Sequence, residues 1–213
     1  MQVPLSHQTD IVGFHGEATR LLAQGVPPDT VRWSAGDFRD VGEASVADER
    51  TTIRSRAARA IIPQSFVRMS ELVVLHRDPQ RFDLLYRLLW RLVYEPELKH
   101  DAGDIDLARL RQMAQAVRRD IQKMKKRLEF RLLRVRGEDV QVAWYRPTHY
   151  VCELVAAWLA KREGGPPWIL LTPDRSMRWD GRCLLRAPAV APLQGENPAE
   201  ADWPRVLEAL PWL

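Results

Sequence analysis

The sequence of 213 residues is poor in the features on which several protein classes depend. It contains only two cysteines, Cys152 and Cys183, and their spacing is neither CxxC nor metal-like, which argues against a disulfide scaffold and a structural zinc site. No apolar run approaches the ~20 residues of a membrane span, and the N-terminus lacks the basic and apolar regions of a signal peptide. We therefore expect a cytoplasmic protein that uses neither a metal nor a cofactor.

The sequence also lacks the motifs that would make its His76-Arg77-Asp78 tripeptide a kinase catalytic loop. Such a loop needs an asparagine five residues after the aspartate, a glycine-rich phosphate loop and a metal-binding Asp-Phe-Gly. Asp83 occupies the position of that asparagine, and neither of the other two motifs occurs. Asp78 is instead followed by Pro79 and by apolar residues at helical spacing, so we interpret Asp78 as a helix N-cap.

Acidic residues are nearly missing from one stretch, and this is the strongest feature of the sequence. Residues 109–136 contain eleven basic side chains and only two acids, Asp120 and Glu129, which gives the stretch a charge of +9. The net charge of the chain is +4, so the remaining residues sum to −5. Solvated helices usually carry both signs, and a helix with one sign repels itself unless an anion relieves it. The stretch therefore predicts a surface that binds a polyanion.

The apolar periodicity predicts helices first and strands later. Helices are predicted over 10–24, 63–76, 78–94, 105–127 and 150–162, and strands over 31–33, 130–135, 140–145 and within 168–186. This order predicts an α+β fold in which an N-terminal helical layer is followed by an antiparallel hairpin, a helix and a β-meander in an antiparallel sheet. The expected organisation is an N-terminal helix–strand segment (1–33), a polar loop that need not be ordered (34–60), one α+β core domain (61–186) and a C-terminal tail (187–213).

Four motifs in order carry a family resemblance: HRDPQRFDLLYRLLWRL, AQAVRRDIQKM, FRLLRVRGEDVQVAWYRPTHY and WILLTPDRSMRWDG. Over roughly residues 62–186, the sequence resembles a bacterial DNA metabolism protein family, a domain of unknown function. Its members are found beside a radical-SAM DNA repair-like protein or fused to uracil-DNA glycosylase-like domains. The resemblance implies a DNA context and these partners, but no reaction. Histidines stand in the family pattern at Gln122 and Lys125, so any chemistry that those histidines perform is implied to be lost here.

The candidate nucleic-acid-binding residues are the cations of the basic stretch. They are Arg111, Arg118, Arg119, Lys123, Lys125, Lys126, Arg127 and Arg131. Cations repeated along one element suit the repeated phosphates of a nucleic acid. Phosphate contacts give affinity but no sequence preference, so this set leaves base recognition open. Asp120 lies alone among these cations and is expected to form an ion pair with one of them across a helical turn.

Aromatic and titratable side chains supply the remaining candidates. Trp168 and Trp179 lie on predicted strands, where they could stack on bases or belong to the core, and Trp144 and Trp158 are predicted core residues. The candidate catalytic residues are His149 and Asp174. Each also has a structural interpretation: His149 or its neighbour Thr148 as a helix cap, and Asp174 as a turn residue.

Three functions remain open at this stage. The leading hypothesis is a DNA-binding accessory protein in DNA repair or modification that contacts the phosphate backbone through the basic helix and acts with a catalytic, radical-SAM-like partner. The second is an enzyme that acts on damaged bases or nucleotides in a pocket lined by His149, Asp174 and the tryptophans. The third is a protein-interaction adaptor whose basic helix docks an acidic partner without DNA binding.

Overall fold

The computed structural model describes residues 1–39, 41–44, 64–135, 137–162, 166–190, 206–207 and 210–211. Five α-helices and eight strands lie within these ranges, and the predicted α+β class is confirmed. The chain divides into two compact units, Met1–Asp37 with Arg50–Arg119, and Phe38–Glu49 with Asp120–Leu213. Residues 61–186, predicted as a single core domain, contribute to both units. Every helix in the described part of the chain is too short or too polar to cross a bilayer.

The first unit begins with a strand that the sequence analysis missed. Strand β1 (Gln2–Leu5) pairs in parallel with β2 (Arg32–Ala35), and helix α1 (Ile11–Ala23) connects them. The carboxylate of Asp10 caps α1 by accepting a backbone N–H of the first turn at 2.7 Å. Gly25, with a φ of 65°, follows the helix in the left-handed conformation that ends many helices. The predicted helix over 10–24 and the strand near 31–33 are both confirmed.

Three more helices complete the first unit: α2 (Gln64–Val73), α3 (Arg81–Tyr94) and the N-terminal part of α4 (Ile105–Arg127). Their apolar faces bury one core that also takes in α1 and β2. Arg81 is 2% exposed, and its guanidinium donates hydrogen bonds to the carbonyls of Val74 and Asp78. This arginine therefore ties the end of α2 to the start of α3.

The prediction that Asp78 is the N-cap of α3 is wrong. Residues 78–81 form a turn in which the N–H of Arg81 donates to the carbonyl of Asp78, so the helix begins two residues later, with Gln80 at the N-cap position. The Asp78 carboxylate instead accepts the N–H of Gln80 at 2.8 Å and forms an ion pair with Arg109 at 2.8 Å. The Asp78 carboxylate thus stabilises the turn and contacts α4 through Arg109. It does not cap the first turn of α3.

The second unit is built on a six-stranded sheet with the strand order β3-β8-β7-β6-β5-β4. Its strands are β3 (Gly42–Ala44), β4 (Arg131–Val135), β5 (Glu138–Trp144), β6 (Trp168–Leu171), β7 (Arg175–Trp179) and β8 (Leu184–Pro188). The predicted hairpin is β4–β5, and the predicted meander is β6–β7–β8; both are confirmed. Strand β3 lies within the stretch that was predicted to be a polar loop, which corrects that prediction for these three residues; residues 40 and 45–63 lie outside the described part.

The sheet is mixed, so the prediction of an antiparallel sheet fails at one pair of strands. Strands β5 and β6 pair in parallel because helix α5 (Cys152–Ala160) crosses between them, and parallel neighbours require such a crossover. Ile169 and Leu171 face a core that includes Leu207 and Leu210 from the C-terminal segment. Strand β4 forms one edge of the sheet. The C-terminal part of α4 leads directly into this edge strand.

Candidate functional site

Helix α4 carries seven of the eight candidate cations, and its sequence separates apolar from basic residues by helical spacing. The carboxylate of Asp104 accepts the N–H of Leu107 at 2.9 Å and so caps the helix. One side of α4 is buried, and its members are Leu107, Leu110, Met113, Ala114, Val117, Asp120, Ile121 and Met124. At 100° per residue, these positions cover about 140° of the helix circumference and leave the rest to solvent.

The candidate cations lie on the solvent side of α4 and on the strand that follows it. Seven of the eight are exposed: Arg111, Arg118, Arg119, Lys123, Lys126, Arg127 and Arg131. Lys125 is half-buried. Arg111, Arg118 and Arg119 belong to the part of α4 in the first unit, and the other five belong to the second unit. We call these five, Lys123, Lys125, Lys126 and Arg127 of α4 with Arg131 of β4, the cationic surface.

The only acid between Leu107 and Leu128 turns away from the solvent. Asp120 is 5% exposed, and its carboxylate accepts the backbone N–H of His149 at 2.8 Å. The prediction that Asp120 forms an ion pair with a neighbouring cation is therefore wrong: the carboxylate lies on the buried side of α4, and its hydrogen-bond partner is a backbone group of the segment before α5. From Ala108 to Arg127, the side chains of α4 that face the solvent are those of arginine, lysine, glutamine and alanine.

The eight candidate cations form no ion pair with a carboxylate in the part of the chain that the structure describes. Arg109, one turn into the same helix, shows the contrast because it is held by Asp78. An arginine or lysine without a carboxylate partner keeps its charge available for an anion. The cationic surface is thus neutralised neither by its own helix nor by the described residues around it.

Trp158 adjoins the cationic surface, although the sequence analysis placed it in the core. It lies on α5, is 36% exposed, and has the Nζ of Lys125 4.3 Å from the centre of its ring. The guanidinium carbon of Arg162, just beyond α5, is 5.3 Å from the same centre. Partial burial beside the ring lowers the pKa of Lys125. Trp158 is therefore a surface aromatic in contact with two cations.

The two tryptophans predicted as base-stacking candidates have different environments. Trp168 is 6% exposed and packs against Phe130, with the ring centres 6.1 Å apart, so its ring is covered and base stacking on it is not supported. Trp179 lies opposite Trp168 in the β6–β7 register and is half-buried, so its role as a stacking residue stays a prediction. Trp144 packs against the core of the second unit, as predicted.

The candidate catalytic residues lie near the N-terminus of α5. His149 is 7% exposed, and neither it nor Thr148 caps the helix, because α5 begins at Cys152 with Val151 at the N-cap position and no side-chain cap. The interpretation of His149 or Thr148 as the cap of α5 is therefore wrong, because the N-cap position lies two residues after His149. Asp174 is half-buried in the turn between β6 and β7, as its turn interpretation predicts. Their catalytic roles stay predictions.

The same region contains a buried arginine that was not among the predicted site residues. Arg175 is 2% exposed, its Nε is 2.8 Å from the carboxylate of Glu153, and its guanidinium lies 4.2 Å from the ring centre of Phe38. The nearby thiol of Cys152 is no ready nucleophile, because burial raises its pKa to about 12. Strand β7 reads RSMRW and contains a second arginine, Arg178, which is half-buried, so the sequence does not identify Arg175 as the buried one. No group of three or more potential metal ligands occurs among the described residues.

Comparison with known proteins identifies a family. A family model described as a domain of unknown function (DUF4130) matches residues 79–202, which is more than half of the chain. The matched segment contains α3 to α5, β4 to β8 and all eight candidate cations. No curated protein and no solved structure matches the sequence.

Proposed function

Because this chain belongs to the DUF4130 family, whose description states no reaction, we propose its function from the geometry of its own residues: it is a DNA-binding accessory protein that contacts the phosphate backbone through the cationic surface. In this proposal the chain supplies affinity for DNA in repair or modification. A catalytic partner, of the radical-SAM-like kind that the motif resemblance implies, supplies the reaction.

One observation carries the proposal: between residues 108 and 127, the solvent side of α4 has no carboxylate. Exposed surfaces of ordinary helices gain a few tenths of a kcal/mol from each pair of opposite charges at i,i+4 spacing, and lose a similar amount from each like pair. Helix α4 forgoes that gain from Ala108 to Arg127, because the one acid of that stretch, Asp120, is buried and contributes to folding instead. A bound polyanion would offset the repulsion among these cations, and this gives a physical reason for a surface that is unfavourable in the free protein.

The chemistry of the surface fits phosphate better than it fits a base edge. Lysine and arginine on a convex helix and on an edge strand present separate point charges, and each can displace a counterion condensed on DNA. Such contacts hold the backbone irrespective of sequence. The proposal therefore expects tight, salt-sensitive binding with little sequence preference.

The experiment compares two variants that have the same net charge. In the first, four exposed cations of the second unit, Lys123, Lys126, Arg127 and Arg131, are replaced by glutamate. In the matched control, four exposed cations elsewhere, Arg39, Arg68, Lys99 and Arg182, are replaced by glutamate. Each reversal changes the charge by two, so both variants go from +4 to −4. We expect the first to lose about 100-fold or more in DNA affinity at low salt, and the control to lose far less.

Two results would contradict the proposal. Equal losses in both variants would mean that DNA responds only to net charge and that the cationic surface is not a binding site. If the unmodified protein binds no DNA at low salt, the proposal is wrong, and the result favours the adaptor hypothesis, in which the cationic surface binds an acidic protein partner.

A further inference from the structure

We propose that Trp158 is a stacking platform for an unpaired base, so that the cationic surface takes single-stranded nucleic acid in preference to duplex. This inference rests on the proposed function and adds to it a class of ligand. It concerns a side chain that the sequence pattern assigns to the core and that the structure places at the surface of the second unit.

The ring of Trp158 is accessible to a ligand. Of the six tryptophans that the structure describes, Trp158 is the most exposed, at 36%. Leu154 lies one turn earlier on α5 and is 39% exposed, but its aliphatic side chain has no π-face on which a base could stack, so it serves as the control for exposed apolar area alone. An indole has a large apolar surface, so burying it against a ligand is favourable compared with leaving it exposed to water.

The Trp158 ring is in contact with two cations. Lys125 and Arg162 approach it from two different elements, with their cationic atoms 4.3 Å and 5.3 Å from the ring centre. Neither cation forms an ion pair with a carboxylate in the part of the chain that the structure describes. Both cations lie over the ring at the ends of flexible side chains, so a base that stacks on the ring displaces one of them, and the displaced cation can then contact the phosphate of the same nucleotide.

The Trp158 ring distinguishes single strands from duplex. In a duplex each base already stacks on its neighbours, and its faces are inaccessible to a side chain on a protein surface. An aromatic ring can stack only on a base that is unpaired and splayed out, and such stacking is tolerant of sequence because every base has a π-face. Lysine and arginine alone would not distinguish the two forms, so the tryptophan is the feature that selects the single strand.

The test uses the full chain and labelled oligonucleotides in a fluorescence anisotropy titration. The probes are an oligothymidylate of about 16 nucleotides, which is a large site for one binding module, its duplex with oligoadenylate, and an oligouridylate of the same length. The variants are Trp158→Ala, Trp158→Phe and, as a matched control on the same helix, Leu154→Ala. Thermal unfolding of each variant checks that the fold is retained.

We expect Trp158→Ala to weaken binding to both single strands by about 5- to 100-fold and to leave duplex binding within about two-fold. Trp158→Phe keeps an aromatic face and should retain most of the affinity, and Leu154→Ala should bind like the unmodified protein. The ratio of affinities for oligothymidylate and oligouridylate then distinguishes DNA from RNA as the preferred strand, while stacking predicts the same loss on both.

The inference is overturned if Trp158→Ala weakens single-strand binding no more than Leu154→Ala does, or if it weakens duplex binding equally. Either result would leave the proposed function intact, because the cations would still bind the backbone. If the unmodified protein binds none of the probes, the inference and the proposed function fail together.

Discussion

The carboxylate of Asp120 accepts the backbone N–H of His149 at 2.8 Å, and only 5% of the residue is exposed. A buried N–H without a partner loses the hydrogen bonds that water gives it in the unfolded chain. Asp120 therefore fixes the segment before α5 to the buried side of α4. Because its charge is used there, it does not neutralise the cations on the solvent side of the same helix.

The first prediction follows from this hydrogen bond. We expect Asp120→Ala to lower the free energy of unfolding by about 1–3 kcal/mol, since the N–H of His149 is left buried and unsatisfied. Asp120→Asn keeps an acceptor oxygen and should cost less. Urea unfolding measures both changes, with Gln122→Ala on the exposed side as the control, for which a change within about 0.5 kcal/mol is expected. An alanine variant at position 120 as stable as the control would mean that this hydrogen bond contributes nothing to stability.

Single residues show where sequence reasoning reaches its limit. The apolar spacing was sufficient to predict the helix that carries seven of the candidate cations, because an amphipathic helix depends on local geometry. The exposure of Trp158 and the burial of Arg175 depend on which elements pack against them. An apolar residue at an apolar position of a helix is normally buried, so nothing in the sequence identified Trp158 as a surface residue.

At the scale of elements, α4 begins at a carboxylate that has two roles. Asp104 caps the helix through the N–H of Leu107 and forms an ion pair with Arg91 of α3 at 2.8 Å. Burial by itself would raise the pKa of Asp104, but the hydrogen bonds from Arg91 and from the backbone outweigh this effect and lower the pKa below its ordinary value. The link that Asp104 makes between the two helices is therefore stronger when its carboxyl is ionised.

The second prediction is a loss of stability in acid. A carboxyl with a lower pKa in the folded state contributes stability that is fully present above its unfolded pKa of about 4. That contribution is lost as the pH falls through the folded pKa. Asp104→Asn keeps a capping oxygen but does not titrate, so its urea midpoint should lie below that of the unmodified protein at pH 7 and approach it in acid. Asp104→Ala also loses the cap and should cost about 1 kcal/mol more at pH 7. A constant gap between the unmodified protein and Asp104→Asn at all pH values would show that the charge of Asp104 does not stabilise the fold.

The elements that the sequence predicted well are those whose periodicity is long. The 23 residues of α4 repeat an apolar stripe over six turns, and the strands of the meander are separated by turn residues such as Asp180 and Gly181. Strand β3 has three residues and exists through its pairing with β8, about 140 positions later in the chain. The parallel pairing of β5 with β6 also depends on contacts between distant parts of the chain, so the local sequence of the two strands does not predict it.

At the scale of the molecule, the charges are separated along the chain. Residues 109–136 carry +9 and the rest of the chain carries −5, so a polyanion is attracted by one segment and repelled by the others. A small net charge can therefore accompany a strong local field. This separation predicts that DNA binding depends on where the cations lie far more than on their total number.

The last prediction concerns salt. If the five cations of the cationic surface each neutralise one phosphate, the logarithm of the binding constant should fall with the logarithm of the salt concentration with a slope of about −4. The variant that reverses Lys123, Lys126, Arg127 and Arg131 should lose most of that slope, whereas Trp158→Ala should lower single-strand affinity and keep the slope, because stacking releases no counterions. Titrations between about 50 and 200 mM salt measure both quantities for each variant. A shallow slope for the unmodified protein, near −1, would mean that phosphates are not its ligand, whatever its affinity for DNA.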